Sequence, residues 1–138
     1  MNSSQNSGGP VREVEVVGED LNGLGWTIKS LMDGNLENPD VFRRIRNISG
    51  SLVVRETGAD VAATVFFDRG RFRIQDGAAS RPSAYLASDF EGLSDLTSGR
   101  IGPIKALLTG RIKAGGNLFK LLRMSRAIII SDKGGPDR

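Results

Sequence analysis

The sequence predicts an α+β domain, and three observations carry that prediction. Between Gly50 and Ala87 apolar and polar residues alternate with the period of strands, punctuated by hairpin-type turn dipeptides. On both sides of this block the apolar residues recur at helical spacing instead. Finally, one face of the strands is wholly apolar while the other is largely polar, as in a sheet covered by helices on one side.

Residues 1–10, rich in Asn, Ser and Gly, carry no apolar groups to bury and are expected to be a disordered tail. Val11–Val17 follows as a short strand in which Val14 and Val16 alternate with Glu13 and Glu15. Leu21–Met32 reads as a helix despite Gly23 and Gly25. A further helix starts with Asn38 as cap and Pro39 in the first turn; Val41, Phe42, Ile45 and Ile48 form its apolar stripe, Arg43, Arg44 and Arg46 lie between them, and it ends near Ser49-Gly50.

Ser51–Thr57, Asp60–Phe67, Arg71–Asp76 and Pro82–Ala87 are the expected strands of a meander, with turns at Thr57-Gly58, Arg69-Gly70 and Asp76-Gly77. A two-residue loop at Arg69-Gly70 sets Phe67 opposite Phe72 and Val65 opposite Ile74, on one face with Val61 and Ala63. The other face carries Thr64, Arg71, Arg73 and Gln75, with Phe66 as the one large apolar exception.

Helices then return. Ser88-Asp89-Phe90-Glu91 fits a capping box, followed by Phe90, Leu93 and Leu96 on one stripe and a stop at Gly99. Gly102-Pro103 opens a short helix with Ile104, Leu107 and Leu108 as its apolar stripe, ending at Gly110. Arg111–Ala114 is a last strand broken by Gly115-Gly116. Asn117 caps a helix to Arg126, with Leu118, Phe119, Leu121 and Leu122 turned inward and Lys120, Arg123 and Arg126 along another side. Residues 131–138 form a second expected tail.

The chain of 138 residues suits one domain and one core. It contains no cysteine and no histidine, which excludes disulfides, thiolate nucleophiles, imidazole acid/base chemistry and zinc sites of the usual kind. There is no phosphate-binding glycine loop and no convincing carboxylate pair; Asp60, Asp68 and Asp76 fit turn roles. A non-enzymatic binding function without cofactor or metal is therefore expected. No stretch approaches the roughly 20 apolar residues of a membrane span, and the polar N-terminus is unlike a secretory signal, so a cytoplasmic location is expected. Net charge is only +3, but from Leu96 to Ser131 Arg100, Lys105, Arg111, Lys113, Lys120, Arg123 and Arg126 occur without any Asp or Glu. Such a cationic surface attracts the phosphates of nucleic acid or of anionic lipid, and it equally suits a solvated helical face.

The order of these segments resembles the sterol carrier protein type, or non-specific lipid-transfer, domain family. The resemblance is carried by the strands ending in Phe72-Arg73-Ile74-Gln75-Asp76-Gly77, the Ser88-Asp89-Phe90-Glu91 helix start, Gly102-Pro103-Ile104-Lys105-Ala106-Leu107-Leu108-Thr109-Gly110, and Arg111-Ile112-Lys113-Ala114-Gly115-Gly116 before Asn117-Leu118-Phe119-Lys120-Leu121-Leu122. It spans residues 51–126 of a single domain at 11–130; residues 1–50 match no family motif, and a peroxisomal C-terminal address is absent from Pro136-Asp137-Arg138. The resemblance implies a sterol-carrier-like α+β fold with a roughly five-stranded, mostly antiparallel sheet, helices packed on one face, and an apolar tunnel between them for fatty acyl chains, sterols, phospholipids or isoprenoid intermediates.

The tunnel-lining candidates are Phe67, Phe72, Ile74, Leu86, Phe90, Leu93, Ile104, Leu107, Leu108, Phe119 and Leu122, for each of which plain core packing is the competing role. Lys105, Lys120, Arg123 and Arg126 are candidates for docking to an anionic membrane. A lipid is the expected ligand; a membrane surface, a lipid-metabolising enzyme served by the chain as an accessory protein, and a second copy of the chain are candidate partners. Nucleic acid ranks below these, since the charge comes without stacking aromatics on a strand platform or a helix-turn-helix pattern.

Overall fold

A computed structural model of the chain describes residues 13–130, so the two expected tails and residues 11–12 of the first expected strand lie outside the described residues. Strands β1 (Glu15–Val17), β2 (Ser49–Glu56), β3 (Val61–Asp68), β4 (Arg71–Asp76), β5 (Ala84–Ser88) and β6 (Lys113–Gly116) form one open sheet in the order β1-β4-β3-β2-β5-β6. Helices α1 (Gly23–Leu36) and α2 (Pro39–Ile45) precede the main strands. Helices α3 (Phe90–Thr97), α4 (Pro103–Leu108) and α5 (Leu118–Ser125) follow β5, with β6 between α4 and α5. The sheet is mostly antiparallel, and the α+β architecture is the expected one with β1 as an additional edge strand.

The hairpin register follows the sequence reading. Phe67 pairs with Phe72 and Val65 with Ile74, across a two-residue turn in which Arg69 and Gly70 both have positive φ (49° and 99°). That geometry matches the twist of the flanking strands and suits glycine at the second position. The shared face packs into the core: Phe72 meets Phe67 edge-on at 5.8 Å and Phe42 of α2 at 6.4 Å.

Three strands, not four, make the meander. β5 pairs with β2 in parallel, Leu52 facing Ala84, so the chain crosses behind β3 and β2 before reaching its place. The crossing segment is held by Thr64, whose hydroxyl donates to the Gly77 carbonyl (2.8 Å) and accepts from the Ala79 N–H (2.9 Å), and then by reciprocal bonds between Ser51 and Ser83. It covers part of the polar face, leaving Thr64, Ala62 and Val53 buried. Phe66, the exception on that face, sits opposite Arg73, whose guanidinium lies 5.6 Å from the ring centroid.

Other boundaries move for identifiable reasons. α1 extends to Leu36, with Asn22 as its cap accepting from the Gly25 N–H at 2.8 Å. α2 ends at Ile45 rather than near Ser49-Gly50, because Ser49 already pairs with Asp68 in the sheet; Ile48 stays buried without being helical. Ser88 belongs to β5 and gives its hydroxyl to the Arg111 carbonyl, so Asp89 caps α3, accepting from the Gly92 N–H at 2.8 Å. Gly115 and Gly116 lie inside β6 instead of breaking it. At Gly115 the ring of Tyr85 leaves no space for a side chain: a Cβ there would stand 2.4 Å from the ring edge.

The apolar sheet face and all five helices contribute to one core that includes Ile28, Met32, Leu36, Leu52, Phe67, Ile74, Leu86, Leu96, Leu121 and Met124. Two inward stripes expected of helices are corrected. In α4 the buried residue is Ala106, whereas Ile104 and Leu108 are exposed and Leu107 is half-buried. In α5 Leu121, Met124 and Ser125 turn inward, leaving Leu118 and Phe119 exposed. Phe90 also leaves its expected stripe and is 72% exposed. These helices are short and lie at the periphery, so their crowded apolar sequences exceed the core surface available to them.

Candidate functional site

Ile104 of α4 and Phe119 of α5, both left exposed, line an open groove of about 1250 Å³. One wall is the end of α1 and the start of α2, through Asn35, Glu37, Pro39, Asp40, Val41 and Arg44; the other is α4 and α5 with the chain that follows, through Pro103, Ile104, Phe119, Leu122, Arg123, Arg126, Ile129 and Ile130. Ile104, Phe119 and Ile130 are 59%, 73% and 51% exposed. Large apolar side chains gathered around a concavity in contact with water are the usual mark of a binding surface.

Local sequence fixes both walls. The Asn38 side chain caps α2 by accepting from the Asp40 N–H (2.9 Å), and Pro39 supplies a first-turn residue with no donor to satisfy. Asn117 caps α5, accepting from the Lys120 N–H at 3.0 Å. The segment after α5 is tied down twice: the buried Asn35 amide donates to the carbonyls of Ala127 (2.8 Å) and Ile129 (2.9 Å), and the Ile130 N–H donates to the Thr97 carbonyl (2.7 Å). The groove walls are therefore anchored to α1 and α3.

Of the expected lining residues, Ile104, Phe119 and Leu122 come together at this groove. Phe67, Phe72, Ile74, Leu86 and Leu93 are buried in the core, and Leu107 packs against it. Phe90 and Leu108 are exposed and do not line the groove. Among the docking candidates, Arg123 and Arg126 line the groove, Lys105 is exposed on α4, and Lys120 donates to the Ser49 carbonyl at 2.8 Å. Sequence reasoning did not single out Arg44, Asn35, Ile129 and Ile130; only the amphipathic pattern of α2 hinted at the first, and the others depend on contacts distant in sequence.

The cationic C-terminal third is partly compensated by acids from just before it. Asp95 pairs with Arg100 (2.7 Å) and Arg111 (3.1 Å), and Arg111 also lies 3.6 Å from Asp89. Hydrogen bonds from Arg100 and then Arg111 hold the Asp95 carboxyl below its ordinary value. Lys105, Lys113, Arg123 and Arg126 make no ion pair with another described residue. A second cleft of about 640 Å³ runs beside Arg111 between β5 and the end of α4; it is lined by Thr57, Ser88, Asp89, Thr109 and Lys113 and lacks large apolar groups. Among the described residues no group of His, Cys, Asp or Glu is placed to hold a metal ion, and no helix is long and apolar enough to cross a membrane.

Residues 28–128 match the SCP-2 sterol transfer family. Several solved structures share the fold. A protein described as "UbiJ-SCP2 Ubiquinone synthesis protein" aligns with a TM-score of 0.62 at 15% identity, covering 76% of this chain and 92% of its own. A crystal structure of sterol carrier protein 2 aligns at 0.56 and 18% identity over 75% and 88% of the two chains. Sterol carrier protein 2 from Yarrowia lipolytica, in its apo form, aligns at 0.55 and 17% over 78% and 94%. No curated protein sequence matches the chain.

Proposed function

Since the chain belongs to the SCP-2 sterol transfer family, we propose that it is a lipid carrier or presenter that seats the hydrocarbon part of its ligand in the groove between the α1–α2 wall and α4–α5. The observation that carries this reading is the set of large apolar side chains, Ile104, Phe119 and Ile130, held open to water beside the half-buried Leu122 around a concavity of about 1250 Å³. Ligand pockets ordinarily enclose roughly 300–1,000 Å³, so the space suffices for an alkyl chain with its headgroup.

Each buried methylene contributes about 0.8 kcal/mol, and a sixteen-carbon tail on the order of 10 kcal/mol before the costs of association. The same tail gains nearly as much in a bilayer, so exchange between membrane and groove is close to neutral. The ligand does not have to be destroyed or modified to be released, which suits a carrier with no chemical step. Exposed Ile104, Leu108 and Phe119 beside Lys105, Arg123 and Arg126 would bring the groove mouth onto an anionic membrane, at about 1 kcal/mol for each cation near the surface.

A presenting role, in which the protein holds an intermediate for biosynthetic enzymes, is supported by the fold shared with the ubiquinone synthesis protein. Native mass spectrometry of the purified chain, with displacement of a fluorescent fatty acid, tests both forms. A co-purified lipid or stoichiometric uptake supports the reading. An empty chain that takes up no acyl probe contradicts it.

A further inference from the structure

The face of the sheet turned away from the core carries cations without partners. Alternation along the strands puts Arg71 and Arg73 of β4 and Lys113 of β6 on that face, and Arg81 is exposed on the segment that crosses it. None of the four makes an ion pair with another described residue. Glu15 of β1, in register with Arg73, is the one acid of the described strands on this face without such a pair, because Asp68 lies 3.9 Å from Arg69. The same face holds two aromatic rings. Phe66 is covered by the Arg73 guanidinium. Tyr85 is 44% exposed and pairs with Gly115, where an added Cβ would stand within 2.6 Å of the tyrosine Cε2, Cζ and Oη, so the ring lies across β6. Lys113 is its diagonal neighbour on that strand and, with Ala87, lines the cleft of about 640 Å³.

We propose that this outer face binds single-stranded nucleic acid, with a base stacked on Tyr85 and backbone phosphates held by Arg71, Arg73, Arg81 and Lys113. The stacking aromatic on a strand platform that the sequence did not reveal is supplied by the fold, because β6 brings a glycine beneath the Tyr85 ring. Stacking accepts any base, and the guanidinium fork matches phosphate oxygens. From β4 to β6 there are four strand spacings, roughly 19 Å, a span that suits several nucleotides and not one. A duplex fits poorly, since its bases are already stacked on one another. A bilayer has little to gain here, because the described strands expose no large aliphatic side chain except Val17. An open ring beside the cations favours an anion that carries planar groups over one that does not. The surface lies on the side of the sheet away from the groove, so the proposal does not rest on the carrier reading.

The test measures fluorescence anisotropy of a labelled twelve-nucleotide oligouridylate with the full chain and with Tyr85→Ala, Tyr85→Phe and the double variant Arg73→Gln, Lys113→Gln, each checked for folding by its urea midpoint. The expected result is saturable binding at 50 mM salt that falls roughly fiftyfold at 200 mM, as four phosphate contacts require on a single strand. Tyr85→Ala should weaken binding about fivefold or more, and Tyr85→Phe, which keeps the ring, less than about twofold. The double variant should halve the salt slope, to about two contacts, and it tests the surface even if Tyr85→Ala does not fold. No binding at 50 mM salt overturns the proposal. So does a twelve-base-pair duplex bound as tightly as the single strand, with Tyr85→Ala unchanged, which would leave only general attraction of a polyanion. Polyglutamate that displaces the label as well as unlabelled oligouridylate assigns the face to an acidic protein and also overturns it. So does a double variant that loses binding to phosphatidylglycerol vesicles but keeps its affinity for the oligonucleotide.

Discussion

The side-chain amide of Asn35 donates to the backbone carbonyl of Ala127 at 2.8 Å, joining residues 92 positions apart. Its second proton reaches the Ile129 carbonyl at 2.9 Å, so one buried side chain fixes the end of α1 against the chain that closes the groove. Removing it leaves two carbonyls without this donor, one buried and one part-buried. Asn35→Ala is expected to lower stability by about 2–4 kcal/mol, read from urea midpoints, with loss of acyl-probe binding under conditions where the chain is still folded. An unchanged midpoint would show that the tie contributes nothing.

Core and groove aromatics should separate cleanly. Phe72, held edge-on between Phe67 and Phe42, is expected to cost about 3–5 kcal/mol on replacement by alanine. Phe119→Ser, at a position 73% exposed, should change stability by less than about 0.5 kcal/mol yet weaken acyl-probe binding several-fold. Equal destabilisation by the two substitutions would return Phe119 to a packing role.

Gly115 is required by its neighbour and not by its backbone angles. A methyl at this position meets the Tyr85 ring at 2.4 Å, so Gly115→Ala is expected to cost about 1–3 kcal/mol. Adding Tyr85→Ala should recover part of that loss in a double-mutant cycle. Additive losses would place the strain elsewhere.

Asp95 gives a pH dependence of known sign. Its carboxyl titrates below the ordinary 3.8 when folded, because Arg100 and Arg111 favour the charged form. Its contribution to stability is therefore present above the unfolded value and is lost as pH falls through the depressed folded value. Asp95→Asn should lower the urea midpoint at neutral pH, and the difference should shrink as pH falls below the ordinary carboxylate value and through the depressed folded one. The screening of this exposed cluster predicts a smaller gap at high salt.

Much of the fold was legible because local rules agreed with the tertiary outcome. The Arg69-Gly70 turn and the period-two pattern fixed the pairing of Phe67 with Phe72, and Asn38 and Asn117 cap the helices they were expected to cap. The parallel placement of β5 was not legible, since it depends on a crossing segment held by Thr64 and Ser51 to partners 13, 15 and 32 residues away. The candidate groove was half legible. Ile104, Phe119 and Leu122 are among the expected lining candidates, for which core packing was the competing role, but the expectation that apolar stripes face inward put them against the sheet, whereas they lie at an outer groove. Arg44 joins them only because α2 packs near α5, which no local pattern encodes.

The most direct measurement is photo-crosslinking of the full chain with a fatty acid carrying a diazirine on its alkyl chain, followed by peptide mapping of the label. Seating in the groove predicts modification within residues 34–44 and 103–130, centred on Ile104, Phe119 and Leu122, and its loss in the presence of excess unlabelled laurate. Label concentrated on Phe67, Phe72 and Ile74 would place the hydrocarbon between the sheet and its helices and contradict the groove as the binding site.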